Sequence, residues 1–77
     1  MLYLKIKQKK LKKILDHHVS ISNILEIVDI VGEELIVVDE KTKRVLRYNP
    51  KTKTIYDPVR FDKIGERFRH VKTGRYI

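Results

Sequence analysis

The sequence predicts an α+β domain: a short N-terminal strand and a basic helix, an antiparallel β-meander of about four strands, and a C-terminal amphipathic helix. Three observations carry this expectation. Apolar residues alternate at period two at the start of the chain, then switch to helical spacing over 8–18 and again after Asp57. Leucine and β-branched residues dominate 19–31 and 35–38. Between 39 and 58, turn-forming residues recur every ten positions.

Leu2, Leu4 and Ile6 alternate with Tyr3, Lys5 and Lys7, which suits a strand. From Gln8 onward, Leu11, Ile14, Leu15 and His18 follow helical spacing with lysines over the remaining surface, so 8–18 reads as an amphipathic helix. A continuous helix from about Leu4 is the competing reading, because Leu4, Leu11 and Leu15 also share a helical face.

The next strand is expected over 23–31. Gly32-Glu33-Glu34 turns the chain, and Leu35–Asp39 returns. Both faces of this pair are apolar, which predicts the most buried hairpin of the domain. DEKTKRVLRY (39–48) and NPKTKTIYDP (49–58) then form a repeat of period ten. Asp39 or Asn49 opens each turn through its side chain, and Pro50 presets the second turn. Four-residue connections at 40–43 and 49–52 would align Val37, Leu46 and Ile55. They would place Asp39, Arg44 and Asp57 at one end of that face. Val38, Val45 and Tyr56 would share a row on the opposite face, followed by Ile36, Arg47 and Thr54.

Asp57-Pro58 has the form of a helix start, a capping residue followed by proline at the first helical position. Phe61, Ile64, Phe68 and Val71 continue at helical spacing, and Gly74 is placed to stop the helix. Arg60, Lys63, Arg67 and His70 make a basic stripe beside the apolar one. Gly65 weakens the middle of this helix, and a hairpin turning at Lys72-Thr73-Gly74 is the alternative.

The 77 residues make a single small basic domain, 1–77, with a thin core: folding removes roughly 60–65 % of the unfolded surface at this size. Eighteen Lys/Arg against ten Asp/Glu leave a formal charge of +8, and there is no cysteine. A disulfide miniprotein and a Cys–His zinc site are thereby excluded, and a reducing cytoplasmic setting is expected. No apolar run approaches the ~20 residues of a membrane span. The lysines of the first 15 residues occupy the place where a signal peptide needs its apolar stretch.

Charge is segregated along the chain. Lys5, Lys7, Lys9, Lys10, Lys12 and Lys13 come with no acid, and 14–40 carry acids with no Lys or Arg. Residues 41–56 are again basic without an acid, and the last stretch is mixed. Such blocks point to an anionic partner, with nucleic acid first among the choices. The expected function is non-enzymatic nucleic-acid binding through phosphate contacts, with little sequence preference. Lys9, Lys10, Lys12, Lys13, Arg60, Lys63 and Arg67 are expected to carry most of the affinity, with Arg47 and Tyr56 contacting bases. Tyr48 and Tyr56 lie among the cations of the meander (Arg47, Lys51 and Lys53) and would stack on unpaired bases if exposed. The expectation depends on the three basic groups converging into one footprint rather than interleaving with the acids of the central hairpin.

The alternative function is a protein-interaction module, self-associating or docking on a target through the acidic, apolar hairpin 24–40. A membrane-surface role for 3–15 is disfavoured, because the apolar face is short and lacks Trp and Phe. No cofactor, metal or catalytic set is expected. His17-His18 lacks ligand spacing, and a small ribonuclease built from His70, Arg67 and Tyr76 is a reading that no residue spacing demands.

Overall fold

The computed structural model describes residues 2–15 and 20–77, and among them no α-helix forms. The strands are β1 (Leu2–Lys5), β2 (Lys12–Ile14), β3 (Ile24–Val31), β4 (Glu34–Asp39), β5 (Val45–Asn49), β6 (Thr54–Tyr56), β7 (Phe61–Ile64) and β8 (Arg67–His70). Six of them make one mixed sheet in the order β1-β3-β4-β5-β6-β2, and β7 and β8 form a separate hairpin. Every neighbour pair is antiparallel except β2 with β6. The expected α+β class is therefore wrong: the described chain is nearly all β.

The sheet cannot be flat. β1 and β2 stand at opposite ends of the strand order, yet the chain from Lys5 to Lys12 reaches only about 24 Å fully extended. A flat sheet would set these edges about 24 Å apart, at ~4.8 Å per strand. Part of the connection is a 3-10 turn, Gln8–Lys10, which rises only ~2 Å per residue. Curling brings the edges together, and the concave side holds the main core. Leu25, Val37, Leu46 and Ile55 are fully buried there with Tyr48, under Ile6 and Ile21. A second core lies on the other face of β6, where Ile14 and Tyr56 meet Phe61 and Phe68 of the β7–β8 hairpin. The Tyr56 and Phe68 rings sit 5.1 Å apart.

These two cores explain why both predicted helices fail. Leu11 and Leu15 pack on the main core and Ile14 on the second. Residues feeding opposite faces of one sheet need an extended chain, so the segment after Gln8–Lys10 becomes β2. Lys7 supplies no side-chain cap to the 3-10 turn. Residues 16–18 of the predicted helix lie outside the described residues. At the C-terminus, a helical stripe would bury all four apolar residues. Instead Phe61 and Phe68 are buried while Ile64 and Val71 remain 41 % and 52 % exposed. The pairings Phe61↔His70 and Lys63↔Phe68 set the two phenylalanines on one face. Gly65, at φ +62°, occupies the first of two loop positions, where a tight hairpin needs a left-handed residue. Asp57 does accept the Val59 amide at 2.9 Å as a cap would, but the chain then leaves for β7.

The meander comes closer to expectation. β3 and β4 match the predicted hairpin to within a residue. Val37↔Leu46 and Val38↔Val45 pair as predicted, and Arg44 reaches Asp57 at 3.4 Å. Between β5 and β6 the register is shifted by two, so that Ile55 faces Tyr48 and Tyr56 faces Arg47. Asn49 is still a strand residue, which moves the connection to 50–53, and one step in the loop is two in the register. The hairpin of β3 and β4 is not the most buried one. β1 ends its pairing at Ile27, a bulge follows at Val28, and Val28, Ile30 and Val31 project into solvent.

The turn device occurs three times. Asp39 Oδ1 accepts the amides of Lys41 (2.8 Å) and Thr42 (3.0 Å), and Asn49 Oδ1 those of Lys51 (2.9 Å) and Thr52 (3.3 Å). In the third copy His70 Nδ1 accepts from Lys72 at 3.2 Å. The fifth position is left-handed each time: Lys43 at φ 62°, Lys53 at 57° and Gly74 at 72°. The turn considered at Lys72–Gly74 thus exists, and it returns the chain so that Tyr76 bridges Arg69.

Asp39 is fully buried, and its other oxygen accepts the Ser22 amide at 2.7 Å, which pins 20–23 to the β4–β5 turn. Removing a buried carboxylate that serves three amides leaves those donors unsatisfied. Asp39→Ala is therefore expected to destabilise the fold by about 3 kcal/mol and Asp39→Asn by roughly half that, read from urea unfolding.

Candidate nucleic-acid interface

The seam between β1 and β2 is built by the lysine-rich segment itself. Ile6 donates its amide to Asn23 O at 2.9 Å, and Gln8 Nε2 donates to Ile21 O at 2.7 Å. These bonds fasten the 3-10 turn to 20–23 and leave Lys7, Lys9 and Lys10 exposed. Lys13 Nζ donates to Gln8 Oε1 at 2.9 Å, and the Lys12 amide donates to Lys53 O at 2.8 Å. Two shallow hollows of about 430 and 540 Å³ open here and share Lys5, Ile6, Lys7 and Lys10. Lys53 rims the first and Lys9 the second, and no carboxylate lines either. The first hollow has an apolar floor that includes Leu4, Leu11 and Pro50.

Of the residues predicted for the site, Lys9, Lys10 and Lys13 come together at this seam. Lys12 points to the other side of the sheet, into a hollow of about 260 Å³ shared with Glu34, Lys63 and Glu66. Arg47 Nη1 is 3.3 Å from Glu34 Oε1, and Lys63 Nζ is 3.6 Å from Glu34 Oε2, so one half-buried carboxylate holds two of the predicted cations. Tyr56 is only 5 % exposed, inside the second core, and cannot stack on a base. Tyr48 is buried in the main core. Arg60 is exposed on the turn that follows Asp57, and Arg67 lies 4.3 Å over the Tyr76 ring. Lys51 pairs with Glu33 at 3.7 Å and Arg69 with Asp62 at 3.2 Å.

The three basic groups therefore do not merge, and the single footprint on which the sequence-based expectation depended does not form. The meander and C-terminal groups are threaded with Glu33, Glu34, Asp57 and Asp62, while the N-terminal group, Lys12 excepted, gathers at the seam without lining acids. Lys53 crosses from the meander group to join it, and Lys5 and Lys7 belong to it as well. The period-ten repeat held the signal for Lys53, since the left-handed fifth position turns that residue out at the end of the β5–β6 loop.

The histidine reading does not assemble either. His70 pairs with Phe61, and its ring meets that phenylalanine edge-on at 5.0 Å. Strand alternation puts Arg67 and Tyr76 on the opposite face of the hairpin. His17 and His18 lie outside the described residues. Among those described, no cluster of His, Asp or Glu is arranged to hold a metal, and no helix is long and apolar enough to cross a membrane. The interfacial helix considered for 3–15 is strand and 3-10 turn instead. Comparison with protein-family models, curated proteins and solved structures found no match.

Burial, and next the Glu34 carboxylate, push the Tyr56 phenol above its ordinary value of 10.0; the Arg47 guanidinium opposes them and loses. The folded state therefore keeps a proton that the unfolded chain releases as pH rises through about 10, so this group lowers stability above that pH. An ultraviolet titration should show a tyrosine ionising above pH 10, and Tyr56→Phe should remove both that component and its share of the alkaline loss of stability.

Proposed function

We propose that this chain binds nucleic acid without catalysing a reaction on it, holding phosphates with Lys5, Lys7, Lys9, Lys10, Lys13 and Lys53. The observation that carries this reading is the pair of adjoining hollows at the β1–β2 seam, rimmed by lysines from three segments with no carboxylate in their lining. Lysine ammonium groups are compact charges on flexible stems, suited to phosphates and poor at reading base edges. Gathering them costs self-repulsion that condensed counterions offset in the free protein, and a bound backbone releases those ions. The expected binding is electrostatic and indifferent to sequence.

Binding to duplex DNA and to RNA should weaken steeply with salt, the logarithm of affinity falling by about 0.7–0.9 per phosphate engaged for each tenfold rise. The triple variant Lys7→Gln, Lys10→Gln, Lys53→Gln should flatten that slope by about 2–3 units. Binding that ignores salt, or a slope the triple variant leaves unchanged, would overturn the proposal.

A second reading, protein docking through 24–40, is favoured by the overhanging end of β3, where Ile30 is 65 % exposed between Val28 and Val31. On that reading the protein self-associates at micromolar concentration in sedimentation equilibrium, and Ile30→Lys restores the monomer. A wild-type protein that stays monomeric would remove self-association from consideration.

A further inference from the structure

Resting on the nucleic-acid reading, we infer that the outer face of the β7–β8 hairpin is a stacking site for an unpaired base, with Tyr76 as the platform and Arg67 as its cationic partner. The tyrosines that the sequence offered for stacking, Tyr48 and Tyr56, are both in cores. The exposed tyrosines are Tyr3 and Tyr76, and their surroundings differ in sign. Tyr3 pairs across the sheet with Glu26 and shares a hollow with Glu26 and Glu40, against a single lysine, Lys43. A phosphate backbone is repelled there. Tyr76 has the Arg67 guanidinium 4.3 Å above its ring and Arg69 as its cross-strand neighbour.

Tyr76 is also held in place before any ligand arrives. The third copy of the turn brings it back against β8, where the His70 amide donates to Arg75 O at 2.7 Å and the Ile77 amide to Phe68 O at 2.9 Å. Two backbone bonds thus flank a ring that is still 44 % exposed. An aromatic fixed this way gives up little freedom on binding. Arg69 is tied to Asp62, whereas Arg67 makes no ion pair among the described residues. The Arg67 plane and the open part of the Tyr76 ring each present a surface on which a base can continue the stack.

The site is separate from the lysine seam. Lys63 and Glu66, at the tip of the same hairpin, share a hollow with Lys12 and Thr52, and the Lys12 amide is bonded to Lys53 O. Bases within a duplex are already stacked on one another, so this platform selects single strands, loops or ends.

The test compares an oligouridylate and an oligothymidylate, each about 12 nucleotides, with a duplex at one salt concentration. Tyr76→Leu should weaken both single strands about 5- to 30-fold, change the duplex by less than about twofold, and leave the salt slope as it was. Tyr76→Phe should bind as wild type does. In the wild-type protein, the Tyr76 ring protons should move upfield when oligouridylate is added. Single-strand binding untouched by Tyr76→Leu, with unmoved ring protons, would overturn the stacking site while steep salt dependence upheld the phosphate reading. Failure of the wild type to bind any of the three probes at low salt would overturn both.

Discussion

The short passage from β1 to β2 is the constraint on which the remainder of the molecule rests. Two strands at opposite ends of a six-strand order are joined by a segment too short to cross a flat sheet. The sheet must curl, and the curl decides how the side chains pack. It creates a concave side deep enough for Leu25, Val37, Leu46 and Ile55 to leave water completely, in a chain too small for a layered core. It sends Ile14 to the convex side, where a two-stranded hairpin suffices to cover it. It also makes residues 5–13 the seam, so their lysines meet at one place. Lysine on two open sheet edges has a structural use too, since it discourages pairing with another chain. The same residues can therefore guard the edge and hold phosphate.

The recurring turn organises the other half. A side-chain acceptor takes two amides at Asp39 and Asn49 and one at His70, and the chain then passes through a left-handed residue before it returns. Lysine at that position costs about 1 kcal/mol relative to right-handed backbone, so Lys43 and Lys53 sit in turns that their acceptors must stabilise. Asp39 does this as a buried carboxylate with a further bond to Ser22. In the third copy glycine removes the strain, and the weaker acceptor His70 is enough. One local solution thus sets the β4–β5 and β5–β6 connections and the return that presents Tyr76.

The first strand, the β3–β4 hairpin, and the side-chain acceptors of the turns at Asp39 and Asn49 were all legible in the sequence. These are local facts: alternation, β-branching and the spacing of turn residues. The helices were misread because helical spacing of apolar residues says only that they recur, and not that they share one core. Leu11 and Ile14 serve different cores, and Phe61 and Phe68 meet across a two-residue turn that Gly65 marks. The basic blocks were legible as charge, but their partners were not. Nothing along the chain tells that Glu34 sits between Arg47 and Lys63, because that contact exists only after β4 lies beside β5 and the last hairpin has folded over both.

That pairing changes the electrostatic character of the protein. The stretch 24–40 carries acids and no cation of its own, yet Glu33 and Glu34 are taken up by Lys51, Arg47 and Lys63. Asp57 and Asp62 similarly meet Arg44 and Arg69. Neutralisation is concentrated where the meander and the last hairpin meet, and much of the formal +8 is left at the seam. Like charges held close across a closing edge oppose that closure, by an amount that salt screens within about 10 Å. A polyanion at the seam would relieve the same repulsion, so binding and closure of the curl favour one another by linkage. If the proposed nucleic-acid binding holds, placing the lysines on the segment that closes the sheet couples the fold itself to that partner.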